Sequence, residues 1–163
     1  MEMLFLFVQK QHKQVGRKMN TSFPLTIYYD SSCAMCNQEM SRLKQHDQSN
    51  KLLLIDCSSP DFVRPSGAPD TSEMMKLLHV RTVDGAWIIG VPAILLAYAG
   101  VGINIVSDWL DKPYINRMMN RLYPMIARHR YLIPAWLTTA WFNWLVRQAE
   151  RKSRSCANGQ CKT

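Results

Sequence analysis

The sequence predicts an α/β domain of element order β-α-β-α-β-β-α with a helical, basic C-terminal extension, and three observations predict it. An apolar run at residues 25–29 gives way to a helix-prone segment and then to a second apolar run at residues 51–56. Two strands joined by a helix within about thirty residues form a parallel βαβ unit. Further on, Asp84-Gly85 parts two strand-like runs as a tight hairpin turn does, with both turn residues expected at positive φ. Pro92 then opens the last apolar segment, where the first turn of a helix tolerates its missing N–H.

A chain of 163 residues, 47% of them hydrophobic, is long enough to bury a core without covalent staples. Its five cysteines are too few and too odd in number for a secreted disulfide framework, so a reducing, cytoplasmic setting is expected. Residues 1–20 carry an apolar stretch of only five residues and an acidic Glu2, which makes a poor signal peptide, and are expected to be a disordered extension. The domain itself is placed at residues 21–110, a helical extension packed on it at 111–152, and a flexible tail at 153–163.

The elements follow in order. Leu25–Tyr29 is β-branched and aromatic and ends at Asp-Ser-Ser, the mark of a buried strand running into a turn. Cys33, Cys36, Met40 and Leu43 then recur at spacings of three, four and three, one stripe of an α-helix. Residues 51–56 form the second buried strand. Asp70 and Glu73 have the spacing of a capping box ahead of Met74, Met75, Leu77 and Leu78, and so predict another helix. Residues 86–106 carry no charge over a length that could span a bilayer. Gly90, Pro92, Gly100, Gly102 and Asn104 divide that run into pieces better read as strand, short helix and turn. Pro113 and Pro134 each stand where a further helix can begin, and the apolar residues after them recur at helical spacing.

Charge is uneven. Residues 19–111 hold six Lys/Arg against ten Asp/Glu, whereas residues 112–154 hold nine against Glu150 alone. The basic helices, with Arg117, Arg121, Arg128, Arg130, Arg147, Arg151, Lys152 and Arg154, read first as a solvated face and next as a surface for an anionic membrane or an acidic partner. No recognition motif points to nucleic acid. Residues 131–146, with three tryptophans, are too short to span a bilayer and suit a helix packed on the domain or lying in a membrane interface.

The predicted order is the thioredoxin-like arrangement, and it sets Cys33 at the N-terminus of the helix after the first strand. Unpaired N–H groups and partial positive charge at a helix start favour a thiolate. Cys33 is therefore the candidate nucleophile, and Cys36, one turn on and facing the core, the candidate resolving thiol. Two buried cysteines acting as small hydrophobes would explain the stripe but not its place at a strand-to-helix junction. Half of a zinc site is the other reading, the second half coming from Cys156 and Cys161, from Cys57 or from a histidine, at irregular spacing. No cofactor beyond the Cys33–Cys36 disulfide and no metal is expected.

Asp30 has two candidate roles: general base for Cys36, or acceptor of N–H bonds that hold the turn. Cys57 ends the second strand on the same sheet edge as the pair and is an auxiliary thiol or a bystander. Cys156 and Cys161 flank Asn-Gly and could close a disulfide loop, and His79, at a strand start, is a lesser candidate.

The run Asp30, Cys33, Cys36 in "YYDSSCAMC" resembles the signature of the DCC family of thiol-disulphide oxidoreductases. "LHVRTVDGAWIIGVPA" at 78–93 and "YPMIARHR" at 123–130 are similar to further segments of that family. The resemblance covers about residues 26–130 and implies thiol-disulfide exchange on a thioredoxin-like fold. Two positions depart from pattern. Ser31 stands where the family commonly has Gly, and no proline lies near Leu78 and His79, where thioredoxins carry a cis-proline, while Pro92 reads as an ordinary trans residue.

These readings converge on a thiol-disulfide oxidoreductase acting on a protein or small-molecule disulfide, with peripheral membrane contact through 131–146. The rival is a non-enzymatic module that binds zinc and docks through its basic helices on a membrane surface or acidic partner.

Overall fold

The computed structural model describes residues 23–104 and 112–157, with 116, 135 and 152–157 in backbone only. The predicted extension at 1–20 and residues 105–106 of the uncharged run lie outside them. The elements are β1 (Leu25–Tyr29), α1 (Ala34–His46), β2 (Leu52–Asp56), α2 (Thr71–Met74), β3 (His79–Arg81), β4 (Trp87–Ile89), α3 (Val91–Gly100), α4 (Pro113–His129), a 3-10 turn (Arg130–Leu132) and α5 (Ala135–Ala157). The predicted β-α-β-α-β-β-α order is observed, and two helices follow it.

The four strands form one mixed sheet in the order β2-β1-β3-β4. β1 runs parallel to β2 with Leu25 opposite Leu52, and antiparallel to β3 with Ile27 opposite Val80. β3 pairs antiparallel with β4. This is the thioredoxin-like fold. Alternation along β1 sorts the core into two layers. Leu25 and Ile27 meet Met40 and Leu43 of α1, Ala93, Leu96 and Ala97 of α3, and Phe142 and Leu145 of α5. Tyr28 points the other way, into a smaller cluster with Cys57, Ala68 and Met74.

Local chemistry departs from expectation in two places. The β3–β4 connection is not a two-residue turn with both residues at positive φ: Gly85 alone adopts it, at 85°. The Gly85 N–H donates to the Thr82 carbonyl at 3.0 Å, and the Ala86 N–H donates to the Thr82 hydroxyl oxygen at 3.0 Å. The glycine therefore serves as the left-handed residue after an ordinary turn centred on Val83 and Asp84. The Asp70–Glu73 capping box does not form either. Asp70 holds the N-cap position, but its carboxylate accepts the Ser72 hydroxyl at 3.0 Å, and the helix lasts four residues.

The uncharged run resolves into β4, α3 and a turn in which Gly102 has φ 80°. Among the described residues no helix is long and apolar enough to cross a membrane. α3 is buried nearly all round, which accounts for the missing polar face in its sequence. α5 packs on the domain through Phe142 and Leu145, buried with residues of α1 and α3, and through the half-buried Trp144, while Trp136, Leu137 and Trp141 are exposed.

Candidate active site

β1 ends at Tyr29, and the chain turns through Asp30, Ser31 and Ser32 before Cys33 caps α1. Asp56, at the end of β2, holds this turn: it accepts the Ser31 N–H at 3.1 Å and the Ser31 hydroxyl at 2.6 Å, together with the Ser58 N–H and hydroxyl. Burial raises the Asp56 carboxyl, but these serine hydrogen bonds outweigh it and bring it down to about 2. Ser31 thus uses its side chain to hold the turn, and its backbone has no positive φ.

Cys33 occupies the N-cap itself. Its Sγ accepts the Cys36 N–H at 3.4 Å, so one of the unpaired amides of the first helical turn points at this sulfur. Both sulfurs are free thiols. Their burial differs from the sequence reading: Cys33 has no exposed surface, whereas Cys36 is half-buried and does not face the core. Cys36 shares the stripe of Met40 and Leu43, but it stands in the first turn of α1, where that stripe fronts a neighbouring cavity instead of the packed core. Burial and the adjoining Cys33 sulfur push the Cys36 thiol strongly up.

That cavity, of about 60 Å3, is lined by Cys36, Asp30, Met74, Leu78, Tyr123 and Arg130 among others. Leu78 lines it just ahead of β3. Its N–H donates to the Tyr123 hydroxyl at 3.2 Å, and burial pushes that phenol up to about 12. Pro92 follows a trans bond, as the sequence suggested; the cis peptide among the described residues precedes Pro24.

Asp30 is almost fully buried and carries more partners than a turn residue needs. Its Oδ1 accepts the Ser32 N–H at 3.0 Å and the Ser32 hydroxyl. Its Oδ2 accepts the Tyr131 hydroxyl and forms a 2.6 Å ion pair with Arg130, itself buried and donating also to the Met75 and Lys76 carbonyls. Burial raises the Asp30 carboxyl, but the hydrogen bonds from Ser32 and Tyr131 and the Arg130 charge outweigh it and hold it below the usual carboxylate range.

Arg130, Tyr131 and Tyr123 are the site residues that the sequence reading did not single out. Arg130 was grouped with a solvated basic face, and the structure corrects this. Its signal lay in the "YPMIARHR" segment, whose Tyr123 and Arg130 both line the cavity.

Of the remaining candidates, neither Cys57 nor His79 lines the cavity. Cys57 is buried in the smaller cluster, and burial, with Asp56 and Asp30 nearby, pushes its thiol up to about 11. His79 is buried, its Nδ1 2.8 Å from the Leu77 carbonyl oxygen, and burial lowers its pKa. Cys156 and Cys161 lie outside the residues whose side chains are described. Among the described residues no three His, Cys, Asp or Glu side chains gather as a metal-ligand set.

The paired cysteines, the ion-paired aspartate and the tyrosine and arginine of the extension all fall within one family match. No curated protein and no solved structure matches the chain. The model of the DCC1-like thiol-disulfide oxidoreductases matches residues 27–136, from β1 to the first turn of α5, and the chain therefore belongs to that family.

Proposed function

We propose that the protein exchanges thiols and disulfides through Cys33 and Cys36, with Cys33 as nucleophile and Cys36 as resolving thiol. The observation that carries this reading is Cys33 Sγ at the N-cap of α1, accepting the Cys36 N–H. Charge on that sulfur meets the positive end of the helix, whereas charge on Cys36 would meet burial and the sulfur of Cys33. Cys33 is therefore the attacking sulfur in this reading.

The Cys33 thiolate attacks one sulfur of a substrate disulfide, and the other substrate sulfur leaves as a thiolate. Bonding consumes the charge on Cys33 and removes the repulsion that kept Cys36 protonated. Cys36 then gives up its proton, attacks Cys33 and frees the second substrate thiol. Two electrons pass to the substrate and the pair is left as a disulfide, to be reduced by an external dithiol. Within this scheme Asp30 is a positioning residue, because a carboxylate held ionised by Arg130 is a poor proton acceptor. No cofactor beyond the pair takes part.

The buried state of Cys33 adds a requirement. A sulfur with no exposed surface reacts after a neighbouring segment moves, and the Arg130–Leu132 turn, packed against α1 and bonded to Asp30, is the segment at hand. The first test is alkylation of the reduced protein at neutral pH. Cys33 should label faster than Cys36. Faster labelling of Cys36, the more exposed thiol, would transfer the nucleophile role to it. In cells, Cys36→Ser should accumulate a mixed disulfide that Cys33→Ser does not form.

A further inference from the structure

α5 meets the domain with one face, where Phe142 and Leu145 are each 1% exposed, and Arg42 of α1 donates to the Thr139 hydroxyl at 2.9 Å and to Asn143 Oδ1 at 3.3 Å. The opposite face holds what a water-facing helix normally lacks. Trp136 is 69% exposed, Trp141 50% and Leu137 49%, with Trp141 stacked on Trp144 at 5.3 Å. The preceding turn continues the patch, Tyr131 being 59% and Leu132 80% exposed. Contiguous exposed apolar area of this kind marks an interaction site.

The same outward arc becomes basic along the helix. Trp136, Ala140, Arg147 and Arg151 follow one another at spacings of four, seven and four, which keeps them on one side, and both arginines are exposed. On α4, Arg117, Arg121 and Arg128 are exposed as well. From these observations we infer that the outward face of α5, with Tyr131 and Leu132, docks on the surface of a bilayer containing anionic lipid. Tryptophan and tyrosine rings settle at the headgroup level, leucines enter the acyl boundary, and arginines draw the helix to negative headgroups. A second copy fits less well. Symmetric pairing through this face would bring together two surfaces that each carry Arg147 and Arg151, on chains whose formal charge is +8. The surface adjoins the thiol site, since Tyr131 donates to Asp30. Docking itself does not depend on the redox reading.

The test uses the full chain with vesicles of phosphatidylcholine alone and of phosphatidylcholine mixed with phosphatidylserine, read by co-sedimentation and tryptophan emission. Binding to the mixed vesicles, a blue shift of emission and reversal by salt are expected. Trp136→Ser with Trp141→Ser, and separately Arg147→Glu with Arg151→Glu, should each weaken that binding by roughly tenfold or more. Thermal melts of both variants should match the parent, because the altered side chains are exposed. Equal binding to both vesicle types, binding to neither, or a dimer in light scattering that the tryptophan variant abolishes would each overturn the inference. Thiol activity measured on the same variants with a soluble disulfide reports on the redox reading separately.

Discussion

Asp30 and Arg130 set the stability of the thiol turn as well as its geometry. Neutralising either partner leaves the other buried without compensation, which costs about 3–5 kcal/mol. Asp30→Asn should therefore lower the unfolding free energy by that order, read from denaturant curves, and adding Arg130→Met should recover part of the loss. Were Asp30 the proton acceptor, Asp30→Asn would also shift the pH profile of the resolving step, whereas a positioning role leaves that profile in place. Glu39 behaves in the opposite sense. Burial, opposed by the charge of Arg42, pushes its carboxyl from 4.5 up to about 7, and Tyr98 donates its hydroxyl to Oε1. The folded state holds a proton there that the unfolded chain releases, so stability is greatest below pH 4.5 for this group and declines as pH rises through about 7. Asp30 and Asp56 are depressed, so their contributions are present above the ordinary carboxylate value and lost as pH falls, for Asp56 toward about 2. For these three groups stability is greatest at mildly acidic pH, whereas His79, whose pKa burial lowers, adds a contribution that is lost as pH falls. Glu39→Gln should flatten the decline on the alkaline side, measured as unfolding midpoints across that range. Cys33, Cys36 and Asp30 were legible from sequence because they sit within seven residues of one strand-to-helix junction. Arg130 was not, because nothing local distinguishes it from Arg128, and its partner lies 100 residues earlier in the chain.

Elements were legible where periodicity decides them and less so where two faces look alike. β1, β2 and α1 follow from apolar runs and spacing, and the β3–β4 hairpin from Asp84-Gly85. The type of that turn was misjudged because the same dipeptide serves two geometries, a two-residue turn at Asp84-Gly85 and a turn centred on Val83 and Asp84 that Gly85 follows in the left-handed conformation. α5 is apolar on both sides, so its sequence announces a helix without saying which stripe packs inward. The structure makes the distinction testable. Phe142→Ala removes a fully buried ring and should cost about 3–5 kcal/mol, whereas Trp136→Ala should change stability by no more than about 0.5 kcal/mol. Urea unfolding of the two variants checks this, and comparable losses would mean that α5 is rotated from its described position.

At the scale of the whole molecule, the uncharged run forms the interior of the fold. α3 has 10 residues, about half of what a bilayer requires, and packs between the sheet and α4. Protein expressed as the complete chain should therefore be released from membranes by an alkaline carbonate wash, including any fraction held through α5; retention would mean that α3 is inserted. The ion pair of Asp30 and Arg130, separated by 100 residues, also bears on how the molecule comes into being. Synthesis adds about 5–20 residues per second, so roughly 5–20 s separate the making of Asp30 from that of Arg130. Through that interval a nascent chain already carries both thiols but lacks the cation, and the Tyr131 hydroxyl, that fix their turn. Assembly of the dithiol turn is thus timed by the ribosome's progress into the extension, and a chain stalled before residue 130 holds the cysteines in a loop with a buried aspartate and no counter-ion.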